Sequence, residues 1–460
     1  MRHRHWQEDG GKKMTSTCEK DFALSVVERL RAAGHTALWA GGCVRDMLMG
    51  NEPSDYDVAT SATPEQVREL FGHRRTLPVG MSFGVVIVLG NHGHALQVEV
   101  ATFRTDAAYS DGRHPDAVAF STPQEDAQRR DFTINGMFFD PITESVIDYV
   151  GGEADLQRRC LRAIGCADDR IGEDKLRMLR AVRIAAQFGF QIEAATREAI
   201  TRHAAKVACV SGERIWIEIC KTFATPRVAW AIEEWFELGL LKQILPELHA
   251  HWPAQRAAAN SLLEALTATQ SVASTEGGGV SGVTQADWLD RLCGLLWNAT
   301  HETAPTGELT MDAAIEKVVQ SLKQRLKQSN EVSDTIRCCI SAQRVLDDAQ
   351  CKPRSHVQPL LISPCASRAV RLFEARVSLA DAQRATAMRD TVAWLYRQLS
   401  LPISQLDPAP LLLGGDLLAL GLKPSSRFRE LLGAVRRKQL DQQLLDRPAA
   451  LEWLRAQVGS

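Results

Sequence analysis

From Gly41 to Thr60 the chain reads GGCVRDMLMGNEPSDYDVAT, setting two glycines, Arg45 and the aspartates Asp55 and Asp57 close together. Residues two apart in a strand point the same way, so Asp55 and Asp57 are predicted to present two carboxylates on one face. Hard oxygen ligands of that kind suit Mg²⁺, which fills its other positions with waters or substrate phosphates. Gly41 and Gly42 would let backbone N–H groups approach a phosphate, helped by the N-terminus of the next helix. Arg45 would add a cationic fork to the same phosphates. A third carboxylate, Glu99 in QVEVATF, alternates against Val98 and Val100 and could complete the site from a neighbouring strand. An Asp-x-Asp before a turn can also be merely solvated or capping; the glycines and the arginine favour metal-assisted chemistry on a phosphate. No Gly-Lys-Ser or Gly-Lys-Thr follows, so this is not a Walker loop.

The elements that must position these groups are legible from periodicity. FALSVVERLRAA repeats apolar residues at three and four and reads as a helix from about Asp21 to Gly34. TALWA and SDYDVAT read as strands, a helix opens at Thr63-Pro64-Glu65, and strands follow at VVIVL and LQVEVATF. From about Leu156 onward the signals are almost all helical, as in DKLRMLRAVRIAAQFGF and AWAIEEWFELGLLKQIL. The expected class is α+β: a mixed-sheet head followed by an all-helical neck, body and tail. The expected limits are a disordered extension over 1–20, a head over 21–155, a neck over 156–225, a body over 226–345 with a flexible loop at 271–286, and a tail over 346–460.

Composition narrows the function classes. At 460 residues, 45% hydrophobic and 24% charged, the chain can bury large cores and exceeds one typical domain. A formal net charge of −2 gives no global attraction to nucleic acid, so a polyanionic partner must be held by local basic patches. No run approaches the roughly 18 apolar residues of a membrane span, and no apolar segment follows the basic start, so no membrane partner is expected and the location reads as cytoplasmic. The 11 cysteines lack Cys-x-x-Cys spacing and read as reduced thiols.

Gly-Gly-x-Val-Arg-Asp followed by Ser-Asp-x-Asp resembles the nucleotidyltransferase head of the CCA-adding enzyme and bacterial poly(A) polymerase family, within the polymerase-beta-like superfamily. FRTDAAYSDGRHPDAVAF, RRDFTINGMFFDP, IDYVGGEADLQRRCLRAIG, EDKLRMLRAVRIAAQFGF and ERIWIEICKT extend the resemblance in order, to about Phe223. Gly136, where alanine is usual, and Lys175, where proline or a small residue is common, depart from the pattern. The resemblance implies two Mg²⁺ at Asp55 and Asp57, ATP and CTP as substrates, and attack of an RNA 3′-hydroxyl on the nucleotide α-phosphate. In family context Arg130 and Asp131 look like contacts to phosphate and ribose, whereas Glu213 and Arg214 read as bracing of the neck helices. PVGMSFGVV and the stretch from Gly414 to Leu454 look like the CCA-adding branch, which implies the tRNA 3′ end as partner. Poly(A) addition, or CC-only or A-only addition, are the alternatives. Haloacid-dehalogenase-like phosphatases also open on Asp-x-Asp but require an apolar strand before it, where this chain has Asn51, Glu52, Pro53 and Ser54.

EDKLRMLRAVR is predicted to place Glu173, Asp174, Arg177, Arg180 and Arg183 on one helix, each step of three rotating about 60° backward into a skewed basic strip. Cytosine and adenine both show an exocyclic amino donor beside a ring-nitrogen acceptor, and uracil and guanine show the reverse. One carboxylate beside one guanidinium therefore accepts C and A and rejects U and G without a template. By resemblance Asp174 and Arg177 supply that pair, and Arg180 and Arg183 meet the triphosphate.

Overall fold

A computed structural model describes residues 12–90, 93–106, 118–268, 286–303, 311–420 and 422–458. Its contacts divide the chain into two compact units, Met1–Glu218 with Thr225–Ile244, and Ile219–Ala224 with Leu245–Ser460.

The first unit is built on a seven-stranded sheet. Helix α1 (Lys12–Ala32) buries Ala23, Val26, Val27 and Leu30, the three-and-four spacing read in the sequence. It begins at Lys12, so 12–20 is helical rather than part of a disordered extension; residues 1–11 lie outside the described residues. The strands are β1 (Ala37–Ala40), β2 (Asp57–Thr60), β3 (Thr76–Leu77), β4 (Val85–Gly90), β5 (Gly93–Thr102), a separate hairpin β6 (Arg104–Asp106) and β7 (Val118–Phe120), then β8 (Phe138–Asp140) and β9 (Ser145–Ile147). Their order in the main sheet is β3-β4-β5-β2-β1-β8-β9. Strand β1 lies antiparallel to β2 and β8, and β2 runs parallel to β5 with Val58 opposite Val100. Both faces are covered. Trp39, Val58 and Val100 enter one core, while Leu38, Ala40 and Ala59 enter another with Phe103 and Phe138. Burial on both sides explains why ALWA, the strand itself, is apolar throughout instead of alternating.

Around the sheet lie α2 (Gly42–Leu48), α3 (Pro64–Phe71), α4 (Pro123–Gln128) and α5 (Gly152–Gln157). The stretch expected as the neck, 156–225, holds α6 (Ala167–Glu173), α7 (Arg177–Phe188), α8 (Ala194–His203) and α9 (Gly212–Phe223), and α10 (Val228–Glu237) comes after it. That stretch is not all helix, because Cys160–Leu161 and Gln191–Ile192 pair as a short parallel ladder. EDKLRMLR is not one helix either. Glu173 ends α6, and Asp174 is extended at φ −137 before α7 begins at Arg177.

Among the described residues the elements of the second unit are helical, from Trp252–Ala268 to Arg447–Val458. Two apolar clusters organise it, one around Leu346, Phe373 and Leu395 and one around Leu417, Leu454 and Ala450. Asp290, buried on Trp288–Thr303, is neutralised by Arg371 at 2.9 Å and Arg368 at 3.1 Å. The expected loop at 271–286 lies outside the described residues except for Ala286, which is buried. The thiols are not all reduced: Cys338 and Cys365 form a disulfide, and nine cysteines are free. No helix among the described residues is long and apolar enough to cross a membrane.

Candidate active site

A cavity of about 710 Å³ in the first unit collects the predicted site residues Gly41, Gly42, Arg45, Asp57, Glu99, Arg130, Asp131, Asp174, Arg177, Arg180 and Arg183. Asp55 and Glu173 do not line it. That volume suits a nucleotide-sized ligand.

The carboxylate end rests on β2 and β5. Strand β2 starts only at Asp57, and Asp55 precedes it, exposed and outside any strand, so β2 does not itself carry the expected pair of aspartates. Parallel pairing of Val58 with Val100 brings Glu99 to the same region as Asp57. Burial, then the charges of Glu99 and Asp55, push the Asp57 carboxyl up to about 7 against the opposing pull of Arg130. Burial and Asp55 likewise raise Glu99. Carboxylates that hinder one another's ionisation are a donor set suited to a hard divalent cation. Among the described residues no three carboxylate, histidine or cysteine side chains form a closed cage.

The glycine turn differs from expectation in one respect. Gly41 has φ +76, and its N–H donates to the Met137 carbonyl at 3.3 Å, so that amide is spent on the fold and not offered to a phosphate. The positive φ is what calls for glycine there; a Cβ would stand 3.0 Å from Arg130 Nη1, the far end of a long side chain. One turn into α2, Arg45 bonds Asp46 and donates to Asn135 Oδ1 at 2.7 Å, with its guanidinium 4.3 Å over the Phe188 ring.

Asp131 is buried and accepts from Arg180 Nε at 2.8 Å, from Asn135 Nδ2 at 3.2 Å and from the Phe132 N–H at 2.8 Å. Burial acts to raise its carboxyl, but the Arg180 charge and hydrogen bond, with Asn135 and Arg177, hold it at about 2. Arg183 pairs with buried Glu218 at 2.7 Å. Arg180 and Arg183 thus line the cavity already partnered by carboxylates.

Asp174 and Arg177 both line the cavity, joined by the Arg177 N–H donating to the Asp174 carbonyl at 3.1 Å, while each side chain is turned to another partner. Asp174 Oδ2 accepts from Arg214 at 2.6 Å and Oδ1 from the Leu176 N–H at 3.0 Å. Arg177 pairs with Glu173, so Glu173 braces the cavity wall from behind, and Arg177 Nη2 reaches the Arg129 carbonyl at 3.3 Å. Arg214 thus fixes the orientation of Asp174. Sequence reading missed Asn135, which bonds both Arg45 and Asp131, and Asp126, whose spacing of three and four from Arg129 and Arg130 was the available signal.

One cavity thus brings together Asp57 and Glu99, whose charge opposes the ionisation of Asp57, the arginines Arg45, Arg130, Arg180 and Arg183, and Asp174 with Arg177. Residues 37–162 match the family described as "Poly A polymerase head domain", and 189–251 match "Probable RNA and SrmB- binding site of polymerase A". The chain is 42% identical over 238 residues to a CCA-adding enzyme of Geobacillus kaustophilus, and 45% identical over 201 residues to one of Lactiplantibacillus plantarum. Those matches cover 52% and 44% of this chain and 57% and 48% of the relatives, so the chain spans about half the length of the curated relatives it matches. Among solved structures, that of Bacillus stearothermophilus CCA-adding enzyme in complex with CTP aligns with a TM-score of 0.72 at 26% identity. That alignment covers 95% of this chain and 96% of the other.

Proposed function

We propose, on the premise that the chain belongs to the family of CCA-adding enzymes and bacterial poly(A) polymerases, that it adds CMP and AMP to the 3′ end of tRNA in the cytoplasm without a nucleic-acid template. One observation carries the reading: a single cavity holds Asp57 and Glu99 together with Asp174 and Arg177. Catalysis and base choice therefore have a common floor. The CCA-adding names of the relatives and the fold-wide likeness to a CTP-bound CCA-adding enzyme support CCA over poly(A) addition.

In this reading Asp55 and Asp57 hold two Mg²⁺. When bound, the ions neutralise phosphate charge and lower the pKa of the attacking hydroxyl. Arg45 and Arg130 orient the triphosphate, Arg180 and Arg183 extend that positive wall, and Asp131 accepts from a ribose hydroxyl. Asp131 suits that task because its low pKa keeps it ionised and acceptor-only at neutral pH. Asp174, turned by Arg214, accepts from the amino group of C or A, and Arg177 donates to the adjacent ring nitrogen. Glu99 adds charge beside Asp57.

The test uses tRNA lacking its last three nucleotides, with CTP, ATP or both. The expected result is two additions with CTP alone, three with both, and then arrest. A ladder of adenylates on tRNA and unrelated RNA alike would establish poly(A) addition instead, and no incorporation would remove the enzymatic reading.

A further inference from the structure

Beneath the arginines of the cavity wall lies a carboxylate that the reading above does not use. Asp126, in α4, is 1% exposed, and its two oxygens are divided between two guanidiniums. Oδ1 accepts from Arg129 Nε at 2.9 Å and Nη2 at 2.7 Å, and from the Arg104 backbone N–H at 3.3 Å. Oδ2 accepts from Arg130 Nε at 3.2 Å and Nη2 at 3.0 Å. Burial acts to raise its carboxyl, but Arg130 and Arg129 overcome that and hold it below the usual range. Arg129 and Arg130 line the cavity, whereas Asp126 is not among the described lining.

An acidic residue in the first turn of a helix commonly serves the helix dipole or the cap. Here Thr122 and Glu125 already form the capping box of α4. A residue serving only the dipole has no need of two guanidiniums closed over it.

Each clamp bears on a different residue of the cavity lining. With Nε and Nη2 on Asp126, Arg130 turns Nη1 to the Asn135 carbonyl at 3.3 Å, against the glycine turn at Gly41. With its side chain held, Arg129 keeps its carbonyl where Arg170 Nη1 reaches it at 3.2 Å and Arg177 Nη2 at 3.3 Å. One carboxylate thus fixes a guanidinium beside the Gly41 turn and a support of Arg177.

We propose that Asp126 is a positioning residue for nucleotide selection, holding Arg130 against the Gly41 turn and the Arg129 carbonyl against Arg177, so that phosphate binding and base choice depend on it together. The inference rests on the proposed function. Asp126→Asn keeps the shape but removes the charge and turns a donor toward a guanidinium.

The experiment uses the full chain and measures equilibrium binding of CTP, ATP and UTP, with kcat and KM for single-nucleotide incorporation. Misplacing orienting groups by about 1 Å costs up to ~100-fold, so Asp126→Asn is expected to raise the CTP Kd about tenfold and to lower the C-over-U ratio of kcat/KM about fivefold. In an Arg130→Ala background it should add little to Kd yet still lower the ratio through Arg129. A structural role alone would scale kcat with the folded fraction and leave Kd, KM and the ratio unchanged, and that result overturns the proposal. If Asp126→Asn does not fold, Arg129→Ala, which spares the Asp126–Arg130 pair, is expected to lower the C-over-U ratio; an unchanged ratio is again contrary. Wild type binding neither CTP nor ATP overturns the functional reading as well, whereas discriminating wild type matched by its variants overturns this inference alone.

Discussion

Asp174 and Arg177 would reject a wrong base by different means, and that difference is measurable. Uracil sets a carbonyl against the Asp174 carboxylate, a charge repulsion, while Arg177 faces a ring N–H donor in place of its acceptor. A hydrogen bond to a charged partner is worth roughly 1.5–3 kcal/mol, so Arg177→Ala is expected to lower CTP and ATP efficiency about tenfold or more. Asp174→Ala should instead raise UTP relative to CTP, because the repulsive element is gone. Incorporation efficiencies for the four nucleotides check this, and an unchanged ratio in both variants would make the pair structural. Asp131 supplies a test of its own. Its folded carboxyl is held at about 2, below the usual unfolded value near 3.9. The contribution is therefore present above the unfolded pKa and lost as pH falls through 4 toward about 2. It amounts to on the order of 2 kcal/mol. Urea denaturation of wild type and Asp131→Asn should show a stability gap at pH 6 that narrows toward pH 3; a gap independent of pH would deny the Arg180 pairing its role. The cavity-lining residues were legible because their types and spacing are local. Their partners were not: Arg180 meets Asp131 and Asp174 meets Arg214 across 49 and 40 positions of sequence, and no periodicity records that.

Elements failed where one side chain outweighed a pattern. EDKLRMLR keeps helical spacing, yet Asp174 turns its carboxylate to the Leu176 N–H and offers its carbonyl to the Arg177 N–H, so one helix stops and another starts. The short ladder of Cys160–Leu161 with Gln191–Ile192 carries too few residues for a period to register. The long helices and the central strands were legible, since each buries a continuous apolar face or core. Tight seams between elements are read from space instead. A Cβ at Gly152, where α5 begins, would stand 2.3 Å from the Thr133 carbonyl and 2.7 Å from Met137 Cγ. Gly152→Ala is therefore expected to destabilise by about 1–3 kcal/mol, seen as a lower Tm in calorimetry. An unshifted Tm would show that the turn over Thr133–Asn135 gives way. The departure at Gly136 has the same cause, because Val150 Cγ2 and Ile164 Cδ1 would lie 2.8 and 3.0 Å from a methyl group there.

At the scale of the whole molecule, a net charge of −2 gives no global attraction to a polyanion, so a tRNA partner of the kind proposed would have to be held by local basic patches. The cysteine reading failed at Cys338 and Cys365, which no spacing motif connects. Their bond spans a sequence separation of 27, and opening a loop of that order costs about 2–4 kcal/mol. Dithiothreitol should lower the denaturation midpoint of wild type and leave Cys365→Ser unmoved; equal responses would mean that the bond contributes nothing. Helix α9 carries a different consequence. The chain leaves the first unit at Ile219, where Ile219 and Phe223 are fully buried and Arg291 donates to the Phe223 carbonyl at 2.7 Å, and returns to the first unit from Thr225 to Ile244. Neither unit is a continuous stretch of gene. A crossover anywhere from 219 to 244 would leave one parent's residues lining the other parent's core, so descent by exchange of heads and tails is disfavoured and the two halves are expected to share a single genealogy.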